Sequence, residues 1–219
     1  MAALALAGAA EGGWLRAERQ SAGRGRHGRT WVSESGNLYA STLVRLRPID
    51  PPAATLGLVA AVALHESVAT HCPDAALTIK WPNDLLLGHA KLSGILLERS
   101  NDAVVMGFGV NVAHHPDLPE RPTTSLIEAK CLVEPAVLLE TLAEALARWL
   151  SRWRSEGLAP VRQRWLAAAH PIETALAVRL PDGTGPEGLF AGLDGEGALM
   201  LRLADGTMRV IHAADVFLI

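Results

Sequence analysis

From Ala76 to Val112 the chain has room for little other than strands. Short apolar runs over 76–81, 84–87, 91–99 and 103–112 are separated only by Pro82-Asn83, Gly88-His89-Ala90 and Asn101-Asp102, so the last two read as a hairpin. Residues 14–19 suggest a short strand. Residues 37–45 alternate Leu38, Ala40, Thr42 and Val44 against Tyr39, Ser41, Leu43 and Arg45, the pattern of a buried strand. Helices fill the rest of this region. Residues 53–71 carry Leu56, Val59, Ala60, Ala63, Leu64 and Ser67 at helical spacing, a face suited to packing on a sheet. Pro135 opens an amphipathic helix from Val137 to about Ser155 that Gly157 ends, and 158–169 continues helical, with Trp149, Trp153 and Trp165 as packing residues. Residues 2–10 read as the tail of a helix, and Thr123 or Thr124 as the cap of a short one through Glu128.

The pattern changes near His170-Pro171. Beyond it, short strands alternate with turn signals at Pro181-Asp182-Gly183, Asp194-Gly195-Glu196-Gly197 and Asp205-Gly206, a meander of the kind that closes into a small barrel. The boundary divides the chain into 1–171 and 172–219. The second piece is small enough to lean on the first for stability.

Against this frame one loop stands out. Gln20–Trp31, QSAGRGRHGRTW, sets Arg24, Arg26 and Arg29 among Gly23, Gly25 and Gly28. Glycine lets backbone approach an anion, and guanidinium forks donate paired hydrogen bonds to phosphate or carboxylate, each contributing roughly 1.5–3 kcal/mol when water is excluded. The glycines fit a dinucleotide fingerprint letter for letter, but that fingerprint opens a helix, whereas Thr30–Ser33 lead to a turn at Ser35-Gly36 and then a strand. A basic nucleic-acid contact is the other reading. A net charge of −3, a pI near 6.2 and the lack of a second basic cluster argue against it.

Composition narrows the setting. With 49% hydrophobic residues the chain can bury a large core, and no unbroken apolar run of membrane-spanning length is evident. MAALALAGAA lacks a basic start and does not read as a signal peptide. Cys72 and Cys131, far apart, suggest free thiols in a reducing cytoplasm. His114-His115 reads as a loop pair rather than a metal site, since no Cys or His lies at ligand spacing.

A second group of residues sits in the strands. Lys80, Asp84 and Lys91 are charges inside apolar runs, which calls for pairing or use; an Asp84–Lys91 ion pair across a hairpin is the plainer account. Gly94 leaves space beside Lys91, while Gly107 and Gly109 weaken a strand in the way that close approach of a ligand requires.

Taken in order, GRGRHGRTW at 23–31, KWPND at 80–84, KLSGIL at 91–96 and GFGVN at 107–111 resemble the catalytic region of biotin protein ligases over nearly the whole chain. The resemblance implies an α+β fold of class II synthetase type, a mixed, largely antiparallel sheet packed with helices, plus a small C-terminal SH3-like β-barrel. It also implies ATP-dependent ligation of biotin, through biotinyl-5′-AMP, to a lysine of a biotin carboxyl carrier domain, with Mg²⁺ assisting. The alternatives are a lipoate or octanoate ligase of the same fold, or a biotin-binding protein without turnover.

By the same resemblance Lys91, Arg26 and Arg29 are catalytic, Lys91 holding the biotin carboxylate and the arginines gripping phosphate. Gln20, Gly23, Arg24, Gly25, Arg26, Lys91 and Gly94 would contact biotin. Arg29, Trp31, Asn83, Asp84 and Asn111, with Arg26, would contact ATP, Trp31 covering the adenylate; Asp84 would orient Lys91 or hold the metal. His27 stands where relatives commonly have arginine. The Ser/Thr-Thr-Asn-like triplet that relatives carry ahead of the first helix is not seen, nor is a DNA-binding helix-turn-helix. A cytoplasmic enzyme is expected, a possible homodimer paired through its central sheet, with no nucleic acid or membrane as partner.

Overall fold

The computed structural model describes residues 1–118, 121–180 and 183–219. Pro119 of the proline-rich loop and Pro181-Asp182 of the first C-terminal turn lie outside the described residues. The strand-dense region forms one antiparallel sheet. Strands β1 (Trp14–Ala17), β2 (Leu38–Arg45), β3 (Leu77–Lys80), β4 (Asp84–Leu87), β5 (Ala90–Ser100) and β6 (Ala103–Val110) lie in the order β1-β2-β6-β5-β4-β3. Connections this short permit only antiparallel neighbours, and β5 and β6 are the hairpin that the sequence suggests. Its register sets Gly94 directly opposite Gly109, which leaves a strip of sheet without side chains.

The long helices cover one face of the sheet, and a short one sits on the other. Helix α1 (Ala2–Leu6) is short and buries Ala5 with Leu43, Ala103 and Val105 in a small separate cluster. Helix α2 (Leu56–His71) buries ten residues from Leu56 to Val68; each fully buried leucine there contributes roughly 1.5–3 kcal/mol. Counted with the 3₁₀ turn Ala53–Thr55, it is long and apolar enough to cross a membrane by length and composition, though His65, Glu66 and Ser67 interrupt the apolar run. Its apolar surface is instead spent against the sheet and α3 (Pro135–Glu156), and its one buried-side acid, Glu66, is held by Arg148, Arg164 and the indole of Trp149. Helix α3 turns Leu138, Leu142, Leu146, Trp149 and Trp153 inward, and Gly157, at φ +78°, stops it. Helix α4 (Ala159–Ala167) adds Val161 and Trp165. The short helix expected after Thr124 does not form: residues 126–130 are turns, because the backbone there is used to bind the ends of β5 and β6.

Cys72 and Cys131 are not free thiols. Cys72 follows the last residue of α2, Cys131 ends the turn segment, and the fold brings their Cα atoms to 5.6 Å in a disulfide. Sequence distance concealed this, because the two cysteines are 59 positions apart and meet only once β3 to β6 have folded between them.

The C-terminal piece is all β. Strands β7 (Ala175–Arg179), β8 (Glu187–Leu193), β9 (Leu199–Arg202), β10 (Met208–Ile211) and β11 (Asp215–Leu218) form a five-stranded sheet in the order β10-β9-β8-β7-β11. Its core residues Leu176, Phe190, Leu199 and Val216 belong to the same apolar cluster as α2 and the large sheet. Trp165 meets Phe190 edge-on at 6.4 Å. Because β11 crosses back to pair with β7, its backbone reaches the large sheet, where the Val216 carbonyl accepts a 2.8 Å hydrogen bond from Lys80 Nζ.

Candidate active site

One cavity of about 690 Å³ gathers the two groups that the sequence singles out. Gln20, Arg24, Gly25, Arg26, Arg29, Trp31, Asn83, Asp84, Lys91, Gly94 and Asn111 all line it. Gly23 does not. It is buried beneath the loop, where a Cβ would lie 2.5 Å from the Trp31 carbonyl and 2.8 Å from Gln20 Oε1, so its contribution is to let the loop close rather than to touch a ligand.

The arginine loop is a miniature hairpin rather than a bare loop. Gly25 N donates to Arg29 O at 2.8 Å, Trp31 N to Gly23 O at 2.9 Å, and Arg24 bridges Thr30. The tip is a single 3₁₀ turn, Arg26–Gly28, with His27 and Gly28 both at positive φ. No helix follows, which removes the dinucleotide reading. Gln20 Oε1 accepts from Ser33 Oγ at 3.0 Å and ties the base of the hairpin.

The strands carry the buried charges. Asp84, at the start of β4, stands 2.5 Å from Lys91 Nζ through Oδ1 and 3.5 Å from Lys80 Nζ through Oδ2. Burial pushes its carboxyl up, but the Lys91 and Lys80 ammoniums outweigh that and hold it below the usual carboxylate range. Burial likewise lowers Lys80, against the pull of Asp84. The plain ion pair is therefore real, and it aims Lys91 into the cavity. Asp84 sets one oxygen on each lysine, and no cluster of three metal-ligating residues occurs among the described residues.

Trp31 lies on the glycine strip. A Cβ at Gly109 would be 2.6 Å from the indole, and one at Gly94 would be 3.1 Å from it and 3.3 Å from Lys91 Nζ. Lys91 Nζ sits 5.7 Å from the indole centroid. The strip thus seats Trp31 against the sheet, with the Lys91 ammonium beside the ring. Asn111 is buried; its side-chain nitrogen donates to Thr124 O at 3.1 Å and Lys91 O at 3.5 Å, and Thr124 N donates to Lys91 O at 3.1 Å. Asn111 therefore frames Lys91. Asn83 Nδ2 donates to Ile95 O at 2.6 Å, while its Oδ1 lies 3.5 Å from Arg26 Nη1.

Other lining residues carry no sequence signal of their own. Ser41, Arg121 and Thr123 line the cavity from β2 and from the segment after β6, and Asp215–Phe217 line it from the C-terminal sheet. Asp215 binds Arg29 through Oδ2 and lies 3.7 Å from Arg26 through Oδ1. Burial lowers Arg26, with Asp215 and then Asp84 opposing. A lone aspartate in a β meander looks like any turn-flanking acid, so only the return of β11 to the large sheet could reveal it.

A sequence profile of the Biotin/lipoate A/B protein ligase family matches residues 6–111, and one of the Biotin protein ligase C terminal domain matches residues 177–219. The chain is 43% identical to a biotin–[acetyl-CoA-carboxylase] ligase of Paracoccus denitrificans, over 93% of this chain and 89% of that one. It is 33% identical to the bifunctional ligase/repressor BirA of Bacillus subtilis, over 97% of this chain and 68% of that one. Among solved structures it is similar to biotin protein ligase from Aquifex aeolicus in complex with biotin and ATP, with a TM-score of 0.85 at 23% identity, over 96% of this chain and 90% of that one. It is also similar to biotin protein ligase from Leishmania major in complex with biotinyl-5-AMP, with a TM-score of 0.64 at 29% identity, over 91% and 88%.

Proposed function

The chain belongs to the biotin protein ligase family, and from that membership we propose that its cavity carries out both halves of the ligase reaction with the residues assigned below. The protein is an ATP-dependent biotin–[biotin carboxyl carrier protein] ligase. In the first half a carboxylate oxygen of biotin attacks the α-phosphorus of ATP, and pyrophosphate leaves. In the second, the carrier lysine attacks the acyl carbon of biotinyl-5′-AMP, and AMP leaves.

Both partners of the first step are anionic, so the site has to supply positive charge where they meet. Lys91, aimed by Asp84 at the end of the glycine strip, is the residue we assign to the biotin carboxylate and to the charge that develops on the α-phosphate. The strip between Gly94 and Gly109 seats the Trp31 indole against the sheet beside Lys91, since any side chain there would collide with the ring. Gln20, Arg24 and Gly25 bound the biotin side. Arg26 and Arg29 are assigned to phosphate and Trp31 to the adenylate, with Asn83 holding Arg26 and Asn111 holding the backbone of Lys91. Mg²⁺ we take to arrive on the triphosphate as part of the substrate. Closing the hairpin over the acyl phosphate keeps water from it.

We read residues 1–171 as the catalytic domain and 172–219 as the C-terminal one, and place the enzyme in the cytoplasm with its carrier. A homodimer would join at β1, the edge of the large sheet, where Leu15 is 49% exposed.

The observation that carries the assignment is the meeting of Lys91, the arginine hairpin and the glycine strip in one cavity. The test is biotin-dependent pyrophosphate release from Mg·ATP, with lipoate and octanoate as controls. Release is expected with biotin alone and should fall about 10²–10³-fold in Lys91→Ala, the usual loss for one electrostatic stabiliser. Equal release with lipoate, or full release from the variant, would overturn it.

A further inference from the structure

The tip of the arginine hairpin is gripped from a distant part of the chain. Asp215, the first residue of β11, sets one carboxylate oxygen on Arg29 Nη2 and the other 3.7 Å from Arg26 Nη1, and the Ala214 carbonyl accepts from the same Arg26 nitrogen at 3.1 Å. Apart from the 3.5 Å approach of Asn83, these are the polar contacts tying the two guanidiniums to the body of the protein among the described residues. Asp215 also lines the cavity, and its side chain is only 17% exposed. A carboxylate on the wall of a phosphate site would repel its ligand unless something nearby neutralised it, and here two arginines do.

We propose that Asp215 is a positioning residue for adenylation: it holds Arg26 and Arg29 in the orientation that the phosphates of ATP require. Each arginine spends one Nη on Asp215 and keeps its other donors for a ligand. Long arginine side chains otherwise pay to be ordered when the ligand binds, and a fixed carboxylate takes that cost out of the binding step. The C-terminal sheet is then part of the active site rather than an appendage to it. This inference rests on the reading that the cavity takes ATP.

The experiment uses Asp215→Asn, which keeps the shape and removes the charge, and Asp215→Glu as the conservative rescue. Pyrophosphate release gives KM for ATP and for biotin separately, and trypsin without nucleotide reports how often the hairpin opens at Arg24, Arg26 and Arg29. In Asp215→Asn, KM for ATP should rise about tenfold, the loss expected for charge-assisted contacts that are partly exposed. KM for biotin should stay within about twofold, as fits a contact made to one substrate only. The hairpin should be cut faster, the thermal midpoint should stay close to that of the parent, and Asp215→Glu should recover most of the difference. An unchanged or lower KM for ATP would overturn the proposal, the lower value meaning that Asp215 competes with phosphate. Both KM values rising together with a falling midpoint would also overturn it, as a structural role. If the unaltered protein released no pyrophosphate, the ligase reading would fail, while the trypsin comparison would still decide whether Asp215 orders the hairpin.

Discussion

One wall of the cavity is sheet and the other is hairpin, and the two hold their charges by different means. On the sheet, the Lys80, Asp84 and Lys91 side chains are 14%, 7% and 16% exposed, and they meet because β3, β4 and β5 are hydrogen-bonded neighbours. On the hairpin, Arg29 is 44% exposed, and its partner Asp215 lies 186 residues away on the C-terminal sheet. Buried strand charges are tolerated only when paired, so the sheet wall is bound up with folding. Exposed loop charges cost little either way, and that leaves the hairpin wall free to answer to ligand.

The largest effect should separate the walls directly. Asp84→Ala leaves two ammoniums facing each other in a buried site and should cost about 3–5 kcal/mol of stability. Arg29→Ala should cost less than about 1 kcal/mol while damaging ATP use more than it damages folding. Urea unfolding of both variants checks this, and equal losses would end the distinction.

The same contrast governs what could be read from the sequence. The sheet wall was legible because local pattern and local contact coincide there: short turns force β4, β5 and β6 side by side, so Asp84, Lys91, Gly94 and Gly109 must converge. The Asp84–Lys91 pair could be named from spacing alone. The hairpin wall was legible as composition, arginine among glycine, but not as geometry. Gly23 looked like its neighbours until its contacts showed that it sits under the Trp31 carbonyl. Asp215 and the Cys72–Cys131 link were invisible for one reason: each depends on where a later segment returns after the fold has closed. Asn111 lines the cavity, and its amide is spent on the Lys91 and Thr124 carbonyls.

The disulfide bears on the sheet wall. Cys131 N donates to Leu126 O, and Leu126 N to Asn111 O, in the segment that brackets Lys91, while Cys72 anchors the end of α2. Breaking the link in Cys131→Ser should lower stability by about 2–4 kcal/mol. Trypsin cleavage of the hairpin should not change. Faster cleavage would show that the two walls are coupled through this segment.

Gly109→Ala tests the opposite side. The new methyl falls 2.6 Å from the Trp31 indole, and since that ring rides on the hairpin while Gly109 is fixed by pairs to both β2 and β5, the hairpin has to give way. The cost should be about 1–2 kcal/mol, with faster cleavage after Arg26 and Arg29. A crystal structure with Trp31 unmoved and the sheet displaced would reverse the assignment of which wall is rigid.

The smallest effect is a pH dependence confined to the sheet side. Burial, then the nearby charges of Lys80 and His89, lower the His170 imidazole from 6.5 to about 4. The unfolded chain therefore takes up this proton before the folded one does. Stability from the neutral ring is complete above about pH 6.5 and is lost progressively as pH falls toward 4. Solvent still reaches the ring, so the loss should be only about 1 kcal/mol. Glu11, which the Arg154 hydrogen bond draws from 4.5 down to about 2, acts in a separate and more acidic window: its stabilisation is present above 4.5 and disappears below it. Stability measured from pH 7 to 4.5 should thus slope downward in the parent and lose most of that slope in His170→Gln. If the slope survived, another sheet-side group would carry it; if hairpin cleavage rose over the same range, the charge beside Lys80 would be felt across the cavity, and the two walls would not be independent.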